Sequence, residues 1–171
     1  MIAVLEIARP LLAATVLALA LPAGTSVSAS STVAAQPVSA PAQGVLRLRS
    51  AHGFDETVVR LKADVQAKGI RFFDQIDHTA LGAQAGLATG RSTLVLFGNP
   101  PLGVQFLQSN PYAGLDWPVR MLVVEEKDGS VWVAWNDFAA IAGRYGIVDK
   151  AAQFKMASEV AASIATAATS R

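Results

Sequence analysis

The stretch WPVRMLVVEEKDGSVWVAWND, residues 117–137, has the clearest structural pattern in the chain. Two runs rich in β-branched and aromatic residues flank the pair Asp128-Gly129. An Asp-Gly pair between two such runs is typical of a tight hairpin, because glycine readily adopts the backbone conformation that the turn requires. Pro118 has no backbone N–H and fits only at the start of a strand or on an edge. The stretch therefore predicts two adjacent antiparallel strands.

Upstream of this hairpin, three further segments have strand patterns. Apolar and polar residues alternate at 45–49 and at 70–77, which predicts strands with one buried face. In the second of these, the alternation predicts that one face carries Ile70, Phe72, Asp74 and Ile76. The segment 92–98 is more uniformly apolar and is predicted to be a central strand.

Two segments have the pattern of long helices. In the first, residues 54–69, Asp55 is the predicted N-cap, Phe54 is placed to pack on Val59, and Gly69 is suited to a left-handed stop. The second begins at Asp149 and is rich in alanine, which indicates close packing onto a sheet. A short helix is also predicted after the two prolines at 100–101.

The order of these elements is β-α-β-β-β-β-α with small helical inserts. It predicts an α+β fold with two layers, β-α-β(4)-α, in which a mostly antiparallel sheet carries the two main helices on one face. A single α+β domain is expected over residues 44–171.

The first 43 residues have a different composition. A basic residue, an apolar run at 11–23 and the small-residue motif VSAS predict a signal peptide over residues 1–29, with cleavage near Ser30. An uncleaved membrane anchor is the alternative, although the run is shorter than the ~20 residues that a spanning helix needs. Residues 30–43 are small, uncharged and proline-containing, which predicts a flexible linker. The mature protein is expected to be exported, periplasmic or extracellular, without a membrane span.

Composition excludes several function classes. The chain carries 14 basic and 13 acidic residues, a net charge of +1, so it has no basic surface typical of nucleic-acid binding. It has no cysteine, which excludes disulfides, attached c-type haem and thiol chemistry. Its two histidines are far apart in sequence and make a poor metal site. No metal and no cofactor is therefore predicted.

Several short motifs occur together in one order. They are FDETVVRLKADVQAKG at 54–69, IDH at 76–78, FGNP at 97–100, LDWPVRMLVVEE at 115–126 with Asp-Gly at 128–129, and RYG at 144–146. In this combination the chain resembles the domain-of-unknown-function family numbered 302, over roughly residues 44–168. The resemblance implies a fold similar to the TATA-binding-protein class, and it implies no activity.

Four polar residues are candidate ligand-binding residues: His78, Asn99, Asp116 and Arg120. His78 follows Asp77, but neighbours on a strand point to opposite faces, so a structural histidine at the end of the strand is favoured over a catalytic one. Asn99 is placed to cap a helix that begins with proline, and the turn around it is also a candidate pocket rim.

Asp116 and Arg120 are expected to share one face of a strand, about 13 Å apart and too far to pair. Arg120 lies among apolar residues and needs an anionic partner. Asp74, Asp77 and Glu125 are candidate internal partners. The alternative is that Arg120 binds the anionic group of a ligand.

The pattern favours a non-enzymatic exported domain that binds a small anionic or apolar ligand, or a second copy of itself. Apolar residues on both faces of the last strand predict a homodimer through the sheet face without helices, with either Trp132 or Trp135 buried in it. One alternative is a periplasmic enzyme that uses His78 with Asp116 or Arg120. Another is a purely structural dimerisation module.

Overall fold

The computed structural model describes residues 43–171. The predicted signal peptide, residues 1–29, lies outside the described residues, as does the predicted linker apart from Gln43. Both remain predictions.

Five strands form one sheet in which every neighbouring pair is antiparallel. The strand order across the sheet is β1-β5-β4-β3-β2. The strands are β1 (Val45–Arg49), β2 (Arg71–Asp77), β3 (Ser92–Gly98), β4 (Val119–Glu125) and β5 (Val131–Asn136).

The main helices are α1, between β1 and β2, and α5, at the end of the chain. Shorter helices lie between β2 and β3, between β3 and β4, and after β5, and a 3-10 helix spans Pro111–Asp116. The helices are α1 (Phe54–Ala67), α2 (His78–Gln84), α3 (Pro100–Ser109), α4 (Phe138–Tyr145) and α5 (Ala151–Thr169). The predicted α+β fold with β-α-β(4)-α order is confirmed, and the short helix after the two prolines is α3.

The predicted hairpin joins β4 to β5. Gly129 has φ +80°, the left-handed conformation that the Asp-Gly pair predicted. The Asp128 carboxylate accepts hydrogen bonds from the Ser130 backbone N–H and hydroxyl, at 3.0 and 2.6 Å. These bonds favour the charged form and lower the pKa of Asp128 below its usual value. The turn is therefore fixed both by backbone conformation and by a charge-assisted cap.

One face of the sheet forms the core with the helices. The central strand residues Val95, Met121, Val123 and Val133 are 0% exposed on this face. The helix α5 packs there through small side chains, which allow a close approach to the sheet and to α1. Its buried residues are Phe154, Ala157, Ala161, Ile164, Ala165, Ala168 and Thr169. The alanine-rich pattern thus predicted the packing of this helix correctly.

The beginning of α1 differs from the prediction. The helix starts at Phe54 with Gly53 as its N-cap, and Asp55 lies inside the first turn rather than at the cap. Val59 is 66% exposed, so packing on Phe54 buries little of its side chain. Gly69 has φ +64°, as the predicted left-handed stop requires.

A β-bulge in β2 overturns the predicted face assignment of that strand. Phe72 pairs with Phe97, but the next paired residue is Asp74, opposite Leu96. The extra residue, Phe73, shifts the alternation by one, so that Phe72 faces the helices while Asp74 and Ile76 face the other side. Simple alternation fails here because it assumes an uninterrupted ladder.

Two glycines around the turn at 97–100 make room for the Trp117 side chain. A Cβ atom added to Gly103, in α3, would lie 1.8 Å from Nε1 of Trp117, and one added to Gly98 would lie 3.3 Å from it. The edge of the same indole meets Phe73, with ring centroids 5.7 Å apart. The turn therefore serves packing, since the missing side chains of the glycines provide the space for the indole ring.

Replacing Gly103 with alanine is expected to displace Trp117. The overpacking should cost about 1–3 kcal/mol of unfolding free energy, partly offset by the better helix propensity of alanine. Gly143→Ala is the matched control, because Gly143 is also helical and an added Cβ meets nothing within 4 Å. Urea unfolding should show a loss for Gly103→Ala and a gain of up to ~1 kcal/mol for Gly143→Ala. Equal behaviour of the two variants would contradict the role of Gly103.

Candidate functional site

The four predicted ligand residues do not converge. His78 lies beyond the end of β2, next to Ser92 at the start of β3, whereas Arg120 pairs with Leu96 near the other end of β3. His78 and Arg120 are therefore separated by four residues along the strand direction and by two strand spacings across the sheet. This corresponds to a distance of about 16 Å. The geometry therefore does not support an active site that combines His78 with Asp116 or Arg120.

The expected separation of Asp116 and Arg120 is wrong. Asp116 ends the 3-10 helix, and β4 begins only at Val119, so the two residues are not on one strand. The chain turns between them, and Nη2 of Arg120 lies 2.5 Å from Oδ1 of Asp116. The internal ion pair expected for Arg120 does form, but its partner is Asp116 and not Asp74, Asp77 or Glu125.

Asp116 is the centre of a cluster of polar side chains. Its side chain is only 4% exposed, and both carboxylate oxygens accept two hydrogen bonds each. Oδ1 accepts from Arg120 Nη2 at 2.5 Å and Asn136 Nδ2 at 3.2 Å, and Oδ2 accepts from Arg144 Nη1 at 2.6 Å and the Tyr145 hydroxyl at 2.8 Å. We call Asp116, Arg120, Asn136, Arg144 and Tyr145 the Asp116 cluster.

The electrostatics of the cluster follow from these contacts. A hydrogen bond to the Asp116 carboxylate favours the neutral hydroxyl and raises the pKa of Tyr145 above its usual value, with burial adding to the effect. The pKa of the Arg144 guanidinium is also raised, first by its hydrogen bond to Tyr145 and then by the charge of Asp116. Both arginines remain accessible, with exposed side-chain fractions of 39% for Arg120 and 52% for Arg144.

His78 has a local partner. Its Nδ1 lies 3.0 Å from the Ser92 hydroxyl, and the preceding Asp77 caps α2 by accepting a hydrogen bond from the Ala80 N–H. The neighbouring Asp77 thus holds the helix and not the imidazole, in agreement with the expectation that the two cannot orient one another.

Asn99 occupies the N-cap position of α3, but its side chain makes no capping hydrogen bond. It lines an apolar cavity of about 40 Å³ between α3, α5 and the sheet. Trp117 and Phe106 are among the other lining residues. The turn is therefore a cavity rim, as expected, although a space of this size holds little more than one water molecule.

A larger groove of about 620 Å³ runs between α1 and the edge strand β2. Its walls include two polar pairs, Asp55 with Arg91 and Lys62 with Gln75. The charged groups in these pairs already have partners, so the groove presents few free groups that converge on one point.

The side of the sheet opposite α1 and α5 carries a broad apolar surface, which we call the open face. On the three central strands its apolar residues are all partly exposed: Leu94, Leu96, Leu122, Val124, Trp132 and Ala134. The Arg47 guanidinium stacks 4.0 Å above the Trp132 ring. Trp135 is 3% exposed and belongs to the core, so of the two tryptophans predicted for an interface only Trp132 lies on the open face.

With an antiparallel five-stranded sheet and its main helices on one side, the protein is an α+β domain. The family model described as "Domain of unknown function DUF302" matches residues 46–169, and the chain belongs to this family. A crystal structure of an uncharacterized conserved DUF302 protein from Bacillus stearothermophilus has the same fold, with a TM-score of 0.68 and 17% identity. The similarity covers 74% of this chain and 99% of that one.

The chain is also similar to part of longer curated proteins. It is 36% identical over 104 residues to "Fluoride-specific ion channel FluC 1" of Brucella suis biovar 1 and of Brucella abortus biovar 1. The match covers 61% of this chain but only 41% and 38% of those proteins, so the chain spans about two-fifths of their length. Within residues 43–171, none of the helices combines the length and the apolar character needed to cross a membrane.

The raised pKa of Tyr145 can be measured directly. The chain has two tyrosines, so Tyr112→Phe leaves Tyr145 as the only one. Ultraviolet titration of tyrosinate in this variant should give a midpoint above the ordinary value of ~10. A raised pKa means that the stabilisation by this hydroxyl is present below pH ~10 and is lost as the pH rises through the folded-state pKa.

Adding Asp116→Asn to the Tyr112→Phe variant provides the control. Removing the negative charge beside the hydroxyl should lower the midpoint towards ~10. An unchanged midpoint in the double variant would show that Asp116 does not set the pKa of Tyr145.

Proposed function

We propose that this protein is an exported, non-enzymatic binding domain that works as a homodimer, with the open faces of two copies packed together. The proposal rests on the apolar character of the open face. It presents six partly exposed apolar residues across the central strands β3, β4 and β5. Apolar patches of this extent on a soluble domain mark interaction surfaces.

The dimensions of the open face suit a second copy. Five strands about 4.8 Å apart give a width of about 24 Å, and the strands are about 20 Å long. The flat area of each face is therefore about 480 Å², and the relief of the side chains adds to it, so two such faces would form an interface smaller than the ~800 Å² per partner of a standard interface. Sheets packed face to face in this way lie about 10 Å apart, as in a β-sandwich.

The charges at the two edges favour the same arrangement. Arg47 and Arg49 lie on the open side of β1, at one edge of the sheet, and Arg47 is paired with Glu126. Arg71 and Asp74 lie on the open side of β2, at the opposite edge. A two-fold axis parallel to the strands would bring β1 of each copy over β2 of the other, so that Arg49 of one copy could pair with Asp74 of its partner.

Two observations support a binding role over catalysis. His78 lies far from Asp116 and Arg120, and both oxygens of Asp116 are occupied by structural donors. A general base needs a free lone pair near its substrate. The carboxylate of Asp116 therefore organises its neighbours and does not act as a base.

We further propose that the part shared with the curated fluoride channels is an appended module and not their channel. Most of the 104 matched residues must fall within residues 43–171, where no helix suits a membrane span. A channel needs segments that cross the bilayer. A module that binds a ligand or a second copy of itself could have the same role in this protein and in the longer curated proteins.

Leu122→Asp should separate the dimer, because it places a charge at the centre of the open face. Light scattering at micromolar concentration is expected to give a dimer for the mature wild-type protein and a monomer for the variant. Val148→Asp is the control, since Val148 is 89% exposed and lies outside the open face. Circular dichroism checks that both variants fold. A wild-type monomer, or a Leu122→Asp variant that remains dimeric, would overturn the proposal.

Export can be tested by the intact mass of the mature protein. The motif VSAS places the cleavage near Ser30, so protein recovered from the periplasm or the medium should begin there. The double substitution Ala13→Arg and Val16→Arg interrupts the apolar run. The variant should therefore stay inside the cell with the mass of the full-length chain. Recovery of uncleaved wild-type chain would contradict this part of the proposal.

A further inference from the structure

The Asp116 cluster has an imbalance of charge. One buried carboxylate faces two arginines, so the cluster carries a net charge of +1 when Tyr145 is neutral. Elsewhere among residues 43–171, carboxylates paired with arginine have one arginine each, as in Asp55 with Arg91. A single arginine would neutralise Asp116, and the second is therefore surplus to the ion pair.

We propose that Arg120 and Arg144 together bind a small oxyanion, a carboxylate or a phosphate group. This inference deepens the proposed binding role. Arg120 pairs with Leu96 and so lies at one end of the open face, and the site is formed within a single copy. The two guanidinium groups hydrogen-bond to the two oxygens of one carboxylate, so their bonded nitrogens lie within about 7 Å of each other. An oxyanion between them can accept from both.

Each guanidinium keeps donors for a ligand. Arg120 uses Nη2 for its bonds to Asp116 and to the Leu115 carbonyl oxygen, and Arg144 uses Nη1 for Asp116. Apart from the interaction of Arg144 with Tyr145, the Nε and remaining Nη groups of both side chains make no hydrogen bond within the described part of the chain. Guanidinium groups present their donors as a planar fork, the geometry that matches carboxylate and phosphate oxygens.

The buried carboxylate also prepares the site. A free arginine side chain loses up to ~2 kcal/mol of conformational entropy when a ligand fixes it. Here Asp116 holds both arginines before any ligand arrives, and the Leu115 carbonyl fixes Arg120 from a second direction. Such preorganisation reduces the entropic cost of binding. Asp116 is thus a positioning residue, and the arginines contact the ligand.

The proposal is tested by measuring the Tm of the protein with inorganic phosphate and, in a separate experiment, with acetate. Sodium chloride keeps the ionic strength constant. The Tm of the wild-type protein should rise with one or both anions at concentrations up to about 10 mM, because a ligand that binds only the folded state stabilises it. A rise with phosphate alone assigns the site to phosphate groups, and a rise with acetate alone assigns it to carboxylates. No rise with either would overturn the proposal.

Arg144→Gln should abolish this rise, and Arg144→Lys should weaken it, because lysine keeps the charge without the fork. Arg91→Gln is the matched control, since it removes an arginine from a one-to-one pair and should leave the anion response intact. An equal rise in wild type and Arg144→Gln would overturn the proposal. If Arg144→Gln does not fold, nuclear magnetic resonance of the wild-type protein provides the test. The Nε–H resonances of Arg120 and Arg144 should shift when the anion is added. If neither resonance shifts, the proposal is overturned.

The readouts keep this site separate from the dimer. Light scattering reports self-association, whereas the anion response reports the cluster. A monomeric wild-type protein that shows the anion response would overturn the dimer and leave the site standing.

Discussion

The burial of Asp116 is the constraint on which one end of the domain depends. Removing a carboxylate from water costs several kcal/mol unless charge and hydrogen bonds compensate it. The compensation comes from four donors on three elements: Arg120 in β4, Asn136 in β5, and Arg144 and Tyr145 in α4. One side chain therefore fixes the 3-10 helix against the sheet and against α4. The same contacts hold two guanidinium groups at the surface in fixed positions.

Local patterns were sufficient to predict the architecture. The Asp-Gly turn, the alternation in β1 and the small-residue stripe of α5 each depend on residues that are close in sequence, and each was predicted correctly. The sheet order follows from antiparallel pairing of consecutive strands from β2 to β5, with β1 added beside β5. The resemblance to the DUF302 family pointed to the same fold, and the family match confirms it.

The candidate site could be predicted only in part, because its contacts join distant segments. Arg144 and Tyr145 reach Asp116 across 28 and 29 residues, and no spacing rule connects them. Asp116 itself was misplaced because the strand pattern was extended backwards through Pro118. At the bulge in β2, one extra residue reverses the faces on which the following side chains lie. The periodicity of the sequence does not show where such a residue is inserted, so it cannot predict these faces.

The bulge in β2 also bears on how copies of this domain avoid unlimited aggregation. An exposed edge strand offers unpaired N–H and C=O groups to which another strand can add, and repeated addition leads to fibres. At Phe73 the extra residue breaks the regular spacing of these groups, and charged Arg71 and Asp74 flank it. At the other edge, Arg47 and Arg49 place two positive charges on β1. Growth from edge to edge is therefore discouraged on both sides of the sheet.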